Sequence, residues 1–146
     1  MLARTAANLY WIGRYMERAQ FTTRLIEGAA LGVPCVVEDA DASNDWMYVT
    51  DAARSVELAL RSPRTPSRAL TVGGEVGTTR VVVAVLRDLF PMAEIDERSG
   101  ETASVSAFDL EHARTEIGYA PAVGLREGII ATVNAARERV GLPEVR

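Results

Sequence analysis

The chain has 146 residues, of which 48% are hydrophobic and 25% charged, with a net charge of −4. This is one domain's length with an ordinary globular balance; it shows no basic footprint for nucleic acid, and no apolar run approaches the roughly 18 residues of a membrane-crossing helix. All 16 basic residues are Arg and none is Lys, which excludes a Lys-dependent phosphate loop and amine-based Schiff-base or pyridoxal chemistry.

Residues 5 to about 31 read as one long amphipathic helix. Leu9, Ile12, Met16, Ala19, Thr23, Ile26 and Ala30 step by three and four residues, which draws one apolar stripe along a helix. Tyr10, Trp11 and Tyr15 widen that stripe, so it must bury against this chain or another. Gly32 and Pro34 end the helix. Val33–Val37 is a β-branched run and reads as a strand, and an acidic turn from Glu38 to Asp45 leads to a second strand at Trp46–Val49. Thr50 and Asp51 suit a helix start, a hydroxyl cap followed by an acid where the helix dipole is positive. That helix runs to about Arg61, with Ala53, Val56 and Leu60 expected inward.

Pro63 and Pro66 bound the next loop, and Ala69–Val72 reads as a strand. Val81–Val85 favours strand by propensity. Thr78 or Thr79 as cap and Val82, Val85, Leu86 and Leu89 at helical spacing favour helix instead, and helix is expected. Pro91 ends it, and Ala93–Asp96 reads as a short strand. Asp109 caps a further helix that stops at Gly118, a natural residue after a C-terminus. Leu125, Ile129, Val133, Ala136 and Val140 mark the last helix, closed by Gly141 and Pro143. The expected class is α/β, an α+β-like fragment of about five helices and three to four short strands behind a long N-terminal helix.

Few residues carry chemistry. One Cys cannot form an internal disulfide. Cys35 lies in an apolar run and reads as a small buried residue, and His112 reads as a surface histidine. Gly73-Gly74-Glu75-Val76-Gly77 lies between a strand and a helix, with Glu94 and Asp96 about 20 residues on, the outline of a dinucleotide fingerprint. Its spacing fails, because Val72 stands where the first glycine belongs. A plain turn is expected. Arg98-Ser99-Gly100-Glu101 sets a guanidinium and a carboxylate beside a flexible glycine. A guanidinium fork suits phosphate oxygens and a carboxylate suits sugar hydroxyls.

Four segments stand in an informative order. Trp46-Met47-Tyr48-Val49-Thr50-Asp51-Ala52-Ala53, Leu70-Thr71-Val72-Gly73-Gly74, Arg98-Ser99-Gly100-Glu101, and Phe108 through Ile129 with its Gly118-Tyr119 and Leu125-Arg126-Glu127-Gly128 resemble the C-terminal, substrate-binding part of NAD-dependent epimerase/dehydratases, the extended short-chain dehydrogenase/reductases. Residues 1–27, with Leu9-Tyr10-Trp11-Ile12-Gly13-Arg14-Tyr15-Met16-Glu17-Arg18-Ala19, resemble the opening of the bacterial alpha-E proteins, which are all-helical. The division this implies is an alpha-E-like helix at 1–30 and a substrate-binding lobe at 31–146.

The epimerase/dehydratase resemblance implies a sugar or nucleotide-sugar-like ligand near Arg98, Glu101, Asn44 and Tyr48. Asn44 stands near the place where the family often carries a phosphate-gripping Arg, and Glu101 replaces its usual Asp. The family uses NAD or NADP, held by an N-terminal glycine fingerprint that precedes the portion matched here, and a catalytic Tyr–Lys pair. This chain has no Lys, so no cofactor is expected on this chain alone and no catalytic residue is assigned. A cytoplasmic protein is expected, with no membrane or nucleic-acid partner. It would assemble as a homo-oligomer or with a missing Rossmann partner. The competing reading is an alpha-E-like helical interaction module without small-molecule activity. The expected result in solution is no turnover of nucleotide sugars with NAD or NADP, and no cofactor affinity tighter than millimolar; calorimetry giving a micromolar dissociation constant for NAD would overturn it.

Overall fold

A computed structural model describes residues 21–63, 69–100 and 107–146. The described part of the first helix, α1, is 21–31. It ends at Gly32, whose φ of +70° is the left-handed conformation glycine tolerates best. The Val33 amide donates back to Gly28 O at 2.8 Å. Next come strands β1 (Cys35–Val37) and β2 (Ser43–Trp46), helix α2 (Val49–Arg61), strand β3 (Glu75–Thr78) and helix α3 (Thr79–Leu89). Strand β4 (Ile95–Glu97) and helices α4 (Glu111–Ile117) and α5 (Leu125–Arg139) complete the order. The described residues thus hold five helices and four short strands, the mixed α/β fragment expected.

The strands form two small sheets. β1 and β4 run parallel, Cys35 opposite Ile95 and Val37 opposite Glu97. β2 and β3 run antiparallel, Asn44 opposite Gly77 and Trp46 opposite Glu75. The main core joins Leu25, Ile26, Ala29 and Ala30 of α1 to Val37, to Val82, Val83 and Leu86 of α3, to Ile95, and to Leu125, Ile129 and Val133 of α5. Burial of each large aliphatic side chain contributes about 1.5–3 kcal/mol. A second cluster, Ala113, Ile117 and Tyr119, packs with Met47, Leu58, Ala59, Leu70 and Val72.

Polar ties lock these parts together. The Asp51 carboxylate is buried and accepts the amides of Ala122 and Val123, both at 3.0 Å. Glu75 Oε2 accepts the Leu125 amide at 2.9 Å, at the start of α5. Asp45 Oδ1 accepts the Gly74 amide at 2.8 Å, and Trp46 Nε1 donates to Gly77 O at 2.9 Å. The buried Tyr119 hydroxyl donates to Gly73 O at 2.7 Å.

Several sequence expectations are met. α3 is a helix despite its valines, because Val82, Val83 and Leu86 face the core. Asp109 Oδ1 accepts the Glu111 amide at 2.9 Å ahead of α4, and Gly118 ends that helix at φ +69°. Others need correction. β1 is shorter than Val33–Val37, beginning after Pro34, which has no amide to donate. The second strand lies at Ser43–Trp46 rather than Trp46–Val49, because Tyr48 is already the residue before α2. Ala69–Val72 is no strand, and the residues that pair with β2 are Glu75–Thr78. Thr50 does not cap α2 and sits inside its first turn. Ala53, Val56 and Leu60 do not face inward. Val56 is 59% and Leu60 82% exposed, and the buried positions are Asp51 and Ser55. The face of α2 that carries Asp51 and Ser55, with Leu58 and Ala59 packed on the second cluster, is the inward one, so Ala53, Val56 and Leu60 lie outward.

Three variants test these ties. A Cβ at Gly74 would lie 2.0 Å from Trp46 O, so Gly74→Ala should cost about 1–3 kcal/mol in urea unfolding. Asp51→Ala leaves two partly buried amides without their acceptor and should cost about 1–3 kcal/mol. Burial, and then Asp51 and Asp45, raise the Tyr119 phenol above its ordinary value near 10. The folded state therefore holds that proton more tightly than the unfolded state. The associated stability is full below about pH 10 and is lost as pH rises from there through the folded value. Tyr119→Phe should lower neutral-pH stability by about 1 kcal/mol and flatten that alkaline loss, read from melting temperatures at pH 8 and 11.

Candidate functional site

The parallel pair β1–β4 carries a charge network at its C-terminal end. Arg98 follows β4, and its Nη1 donates to Glu38 Oε1 at 2.7 Å while Nε donates to Asp96 Oδ2 at 3.0 Å. Arg80, in the first turn of α3, donates through Nε and Nη2 to Asp41 Oδ1 at 3.0 and 2.8 Å, and through Nη1 to Glu97 Oε2 at 2.8 Å. Arg87 pairs with Glu97 and donates to Ile95 O at 2.9 Å. Ser99 Oγ donates to Asp41 Oδ2 at 3.2 Å.

The backbone holds this array in place. The Arg98 amide donates to Val37 O, the Ala40 amide to Arg98 O and the Arg80 amide to Ala40 O, each at 2.9 Å. The acidic turn after β1 is thereby pinned between β4 and α3. Asp39 within it has a left-handed φ of +61°, a conformation Asp tolerates better than most residues. Arg80 hydrogen bonding holds the Asp41 carboxyl below its ordinary range, and Asp96 and then Glu38 raise the Arg98 guanidinium.

The residues singled out from the sequence lie in different settings. Arg98 is exposed within the network. Glu101 lies outside the described residues. Asn44, on β2, donates to Ala42 O and to Thr79 Oγ1, both at 3.3 Å; Thr79 precedes Arg80, so Asn44 adjoins the network through α3. Tyr48 lies beside Gly128 of α5, where a Cβ would stand 3.3 Å from its ring. It lines a small crevice of about 90 Å³ with Trp46, Met47 and Gly124. The network partners Glu38, Asp41, Arg80, Arg87, Asp96 and Glu97 were not among the expected site residues. Glu38 and Asp41 read as turn formers, and Glu38 meets Arg98 across 60 residues of chain.

The glycine turn serves packing. Gly77 lies within β3, and Gly74 passes against Trp46 where no side chain fits. His112 is exposed, and Cys35 is half-buried with its thiol pKa raised by burial. Among the described residues no group of three His, Cys, Asp or Glu could hold a metal ion, and no helix is long and apolar enough to cross a membrane. A larger groove of about 430 Å³ opens between α1 and β1, lined by Phe21, Arg24, Leu25, Leu31, Val33 and Val36 among others.

The comparisons with known proteins fall into two groups. A dTDP-glucose 4,6-dehydratase of an Actinoplanes species is 30% identical over 117 residues, spanning 77% of this chain and 36% of that protein. The UDP-glucuronic acid 4-epimerase of Bacillus cereus shares the fold at a TM-score of 0.68 and 20% identity, over 80% of this chain and 39% of that one. The UDP-glucose 4-epimerase of Thermotoga maritima does so at 0.68 and 22%, over 79% and 38%. A consensus L-threonine 3-dehydrogenase reaches 0.74 at 19%, over 81% and 42%. The chain thus spans about two-fifths of the proteins it resembles.

Residues 1–89 also match the Alpha-E family model, described as a predicted alpha-helical domain with a conserved ER motif. Glu17-Arg18 is the one Glu-Arg pair in that span and lies outside the described residues. Within the span α2, α3 and residues 21–31 are helical, but β1, β2 and β3 are strands. The chain belongs by this match to the Alpha-E family, and from about residue 31 it resembles the C-terminal part of the NAD-dependent epimerase/dehydratases.

Proposed function

We propose that the chain is a substrate-binding lobe of epimerase/dehydratase type, which holds a sugar or nucleotide-sugar-like ligand at the end of the β1–β4 pair. The observation that carries this reading is the fold shared with the two UDP-sugar epimerases over about four-fifths of the chain. Arg98 is the anchor for a phosphate, because a guanidinium fork makes charge-assisted, two-point contacts with phosphate oxygens. The groove between α1 and β1 flanks the same strand and has the volume of a small-molecule pocket. Phe21 on its wall is exposed and can pack against an apolar or flat ligand group. Asn44, Tyr48 and Glu101 are the further substrate contacts of this reading. The chain contains no Lys for a Tyr–Lys pair, so the lobe binds, and redox chemistry belongs to a nucleotide-binding body. Binding is weak, because Arg98 already holds two carboxylates.

A second reading has its own support. The Alpha-E match over residues 1–89 favours a helical interaction module. The outward stripe of α2 suits such a role. Val49, Ala53, Val56 and Leu60 are spaced four, three and four apart, a pattern that is symmetric about its centre. A second copy laid antiparallel would set Val49 against Leu60 and Ala53 against Val56. The two readings are compatible, since a lobe can assemble through α2 and bind ligand elsewhere.

Two measurements test these readings. Titration with UDP-glucose and UDP-glucuronic acid should give a dissociation constant in the high micromolar to millimolar range, lost in Arg98→Ala; binding unchanged in that variant would contradict the anchor. Light scattering at tens of micromolar should show an assembly that Leu60→Glu converts to monomer, since burying an unpaired carboxylate costs several kcal/mol. A parent chain that is already monomeric at that concentration would contradict assembly through α2.

A further inference from the structure

Arg98 is the residue on which the proposed ligand site rests, and in the free chain its guanidinium is occupied. Nη1 donates to Glu38 and Nε to Asp96, at ordinary charge-assisted distances. The two carboxylates arrive differently. Asp96 belongs to β4 and is two residues from Arg98, so it follows Arg98 wherever β4 goes. Glu38 comes from the turn after β1 and reaches Arg98 across the sheet. That turn is fixed on both sides by the hydrogen bonds of Ala40, which donates to Arg98 O and accepts from the Arg80 amide.

Neighbouring arginines do not offer a free alternative. Arg80 is held by Asp41 and Glu97, and Arg87 by Glu97. Three guanidiniums therefore face four carboxylates. An incoming phosphate meets an array with a small excess of negative charge, and a two-point contact with Arg98 has to displace Glu38 from Nη1 or Asp96 from Nε. The contacts of Glu38, Asp41 and Asp96 are all exposed, and of the two partners of Arg98 only Glu38 is not tied to its own strand. The Glu38 side chain is 67% exposed, whereas the Glu97 side chain is 12% exposed between two arginines.

We infer that Glu38 occupies the anion position of Arg98 in the free lobe and acts as a built-in competitor that a ligand phosphate must displace. This rests on the reading of Arg98 as the phosphate anchor. It makes Glu38 a residue that sets affinity and selectivity without itself holding the ligand. A monoanion gains little over the carboxylate it replaces. A doubly charged phosphate gains more at the same guanidinium. Exposed ion pairs of this kind are individually weak, so the barrier is a few-fold in affinity and weakens as salt screens it.

The test is calorimetric titration of the parent chain with inorganic pyrophosphate and with UDP, at 20 and 300 mM NaCl (chosen to bracket the screening range, about 20 Å down to about 6 Å in Debye length). Glu38→Gln should bind both ligands about threefold to fivefold more tightly than the parent at low salt, with the gain shrinking at high salt. Arg98→Ala should abolish binding with or without Glu38→Gln. Asp88→Asn, which removes an equal charge from the separate pair with Arg126, should leave affinity unchanged. Equal affinity in parent and Glu38→Gln, with binding still lost in Arg98→Ala, would overturn the competitor and leave the anchor standing. Binding retained in Arg98→Ala, or absent even in Glu38→Gln, would overturn both. An equal gain in Asp88→Asn would reduce the effect to net charge and overturn the competitor.

Discussion

A buried carboxylate organises this fold. Asp51 lies in the first turn of α2 and accepts two backbone amides, of Ala122 and Val123, from the segment leading into α5. A carboxyl group at that depth is costly without such partners. Their geometry fixes three things together: the rotation of α2, the path of residues 118–124, and the start of α5. Glu75 adds a second carboxylate at the same place by accepting the Leu125 amide. With Asp45 on Gly74 and Tyr119 on Gly73, the antiparallel β2–β3 pair, α2 and α5 become one unit.

The two small sheets divide the work that follows. The antiparallel pair β2–β3 is the structural one, with Trp46 bonded to Gly77 O and Gly74 fitted beneath Trp46. The parallel pair β1–β4 is buried on the face of Val37 and Ile95 and charged at its end. That arrangement delivers Arg98 to the surface at a fixed height, with Glu38 and Asp96 on either side. On α2, Val49, Val56 and Leu60 are left outward. Exposed apolar patches of this kind commonly mark interfaces, and this one lies on a different element from the Arg98 network.

Much of this was legible in the sequence, for local reasons. α3 and α5 were placed within a residue or so, because their apolar spacing and their flanking caps and prolines agree. Gly118 and Gly141 stopped helices where expected, at φ of +69° and +72°. The strands were harder. At three or four residues each, they carry too little pattern to show a period of two. Trp46–Val49 has the right propensity, but its last residue begins a helix. Ala69–Val72 lost to Glu75–Thr78 because hydrogen bonding to Asp45 and Trp46, not propensity, chooses the pairing. The inward face of α2 was misread because periodicity ranks Val56 and Leu60 above Asp51, and nothing local announces amides 71 residues away. At the site, the loop motif located Arg98, while its partner Glu38 could be found only in three dimensions.

The central claim is that Arg98 is the phosphate anchor of a ligand-binding lobe and that Glu38 holds its place in the free chain. The most direct measurement is a crystal structure of the full chain grown with saturating UDP-glucose. The account predicts diphosphate oxygens within about 3 Å of the Arg98 guanidinium, with the Glu38 carboxylate displaced and the Asp96 contact retained. A ligand seated elsewhere, with the Arg98–Glu38 pair intact, would contradict it.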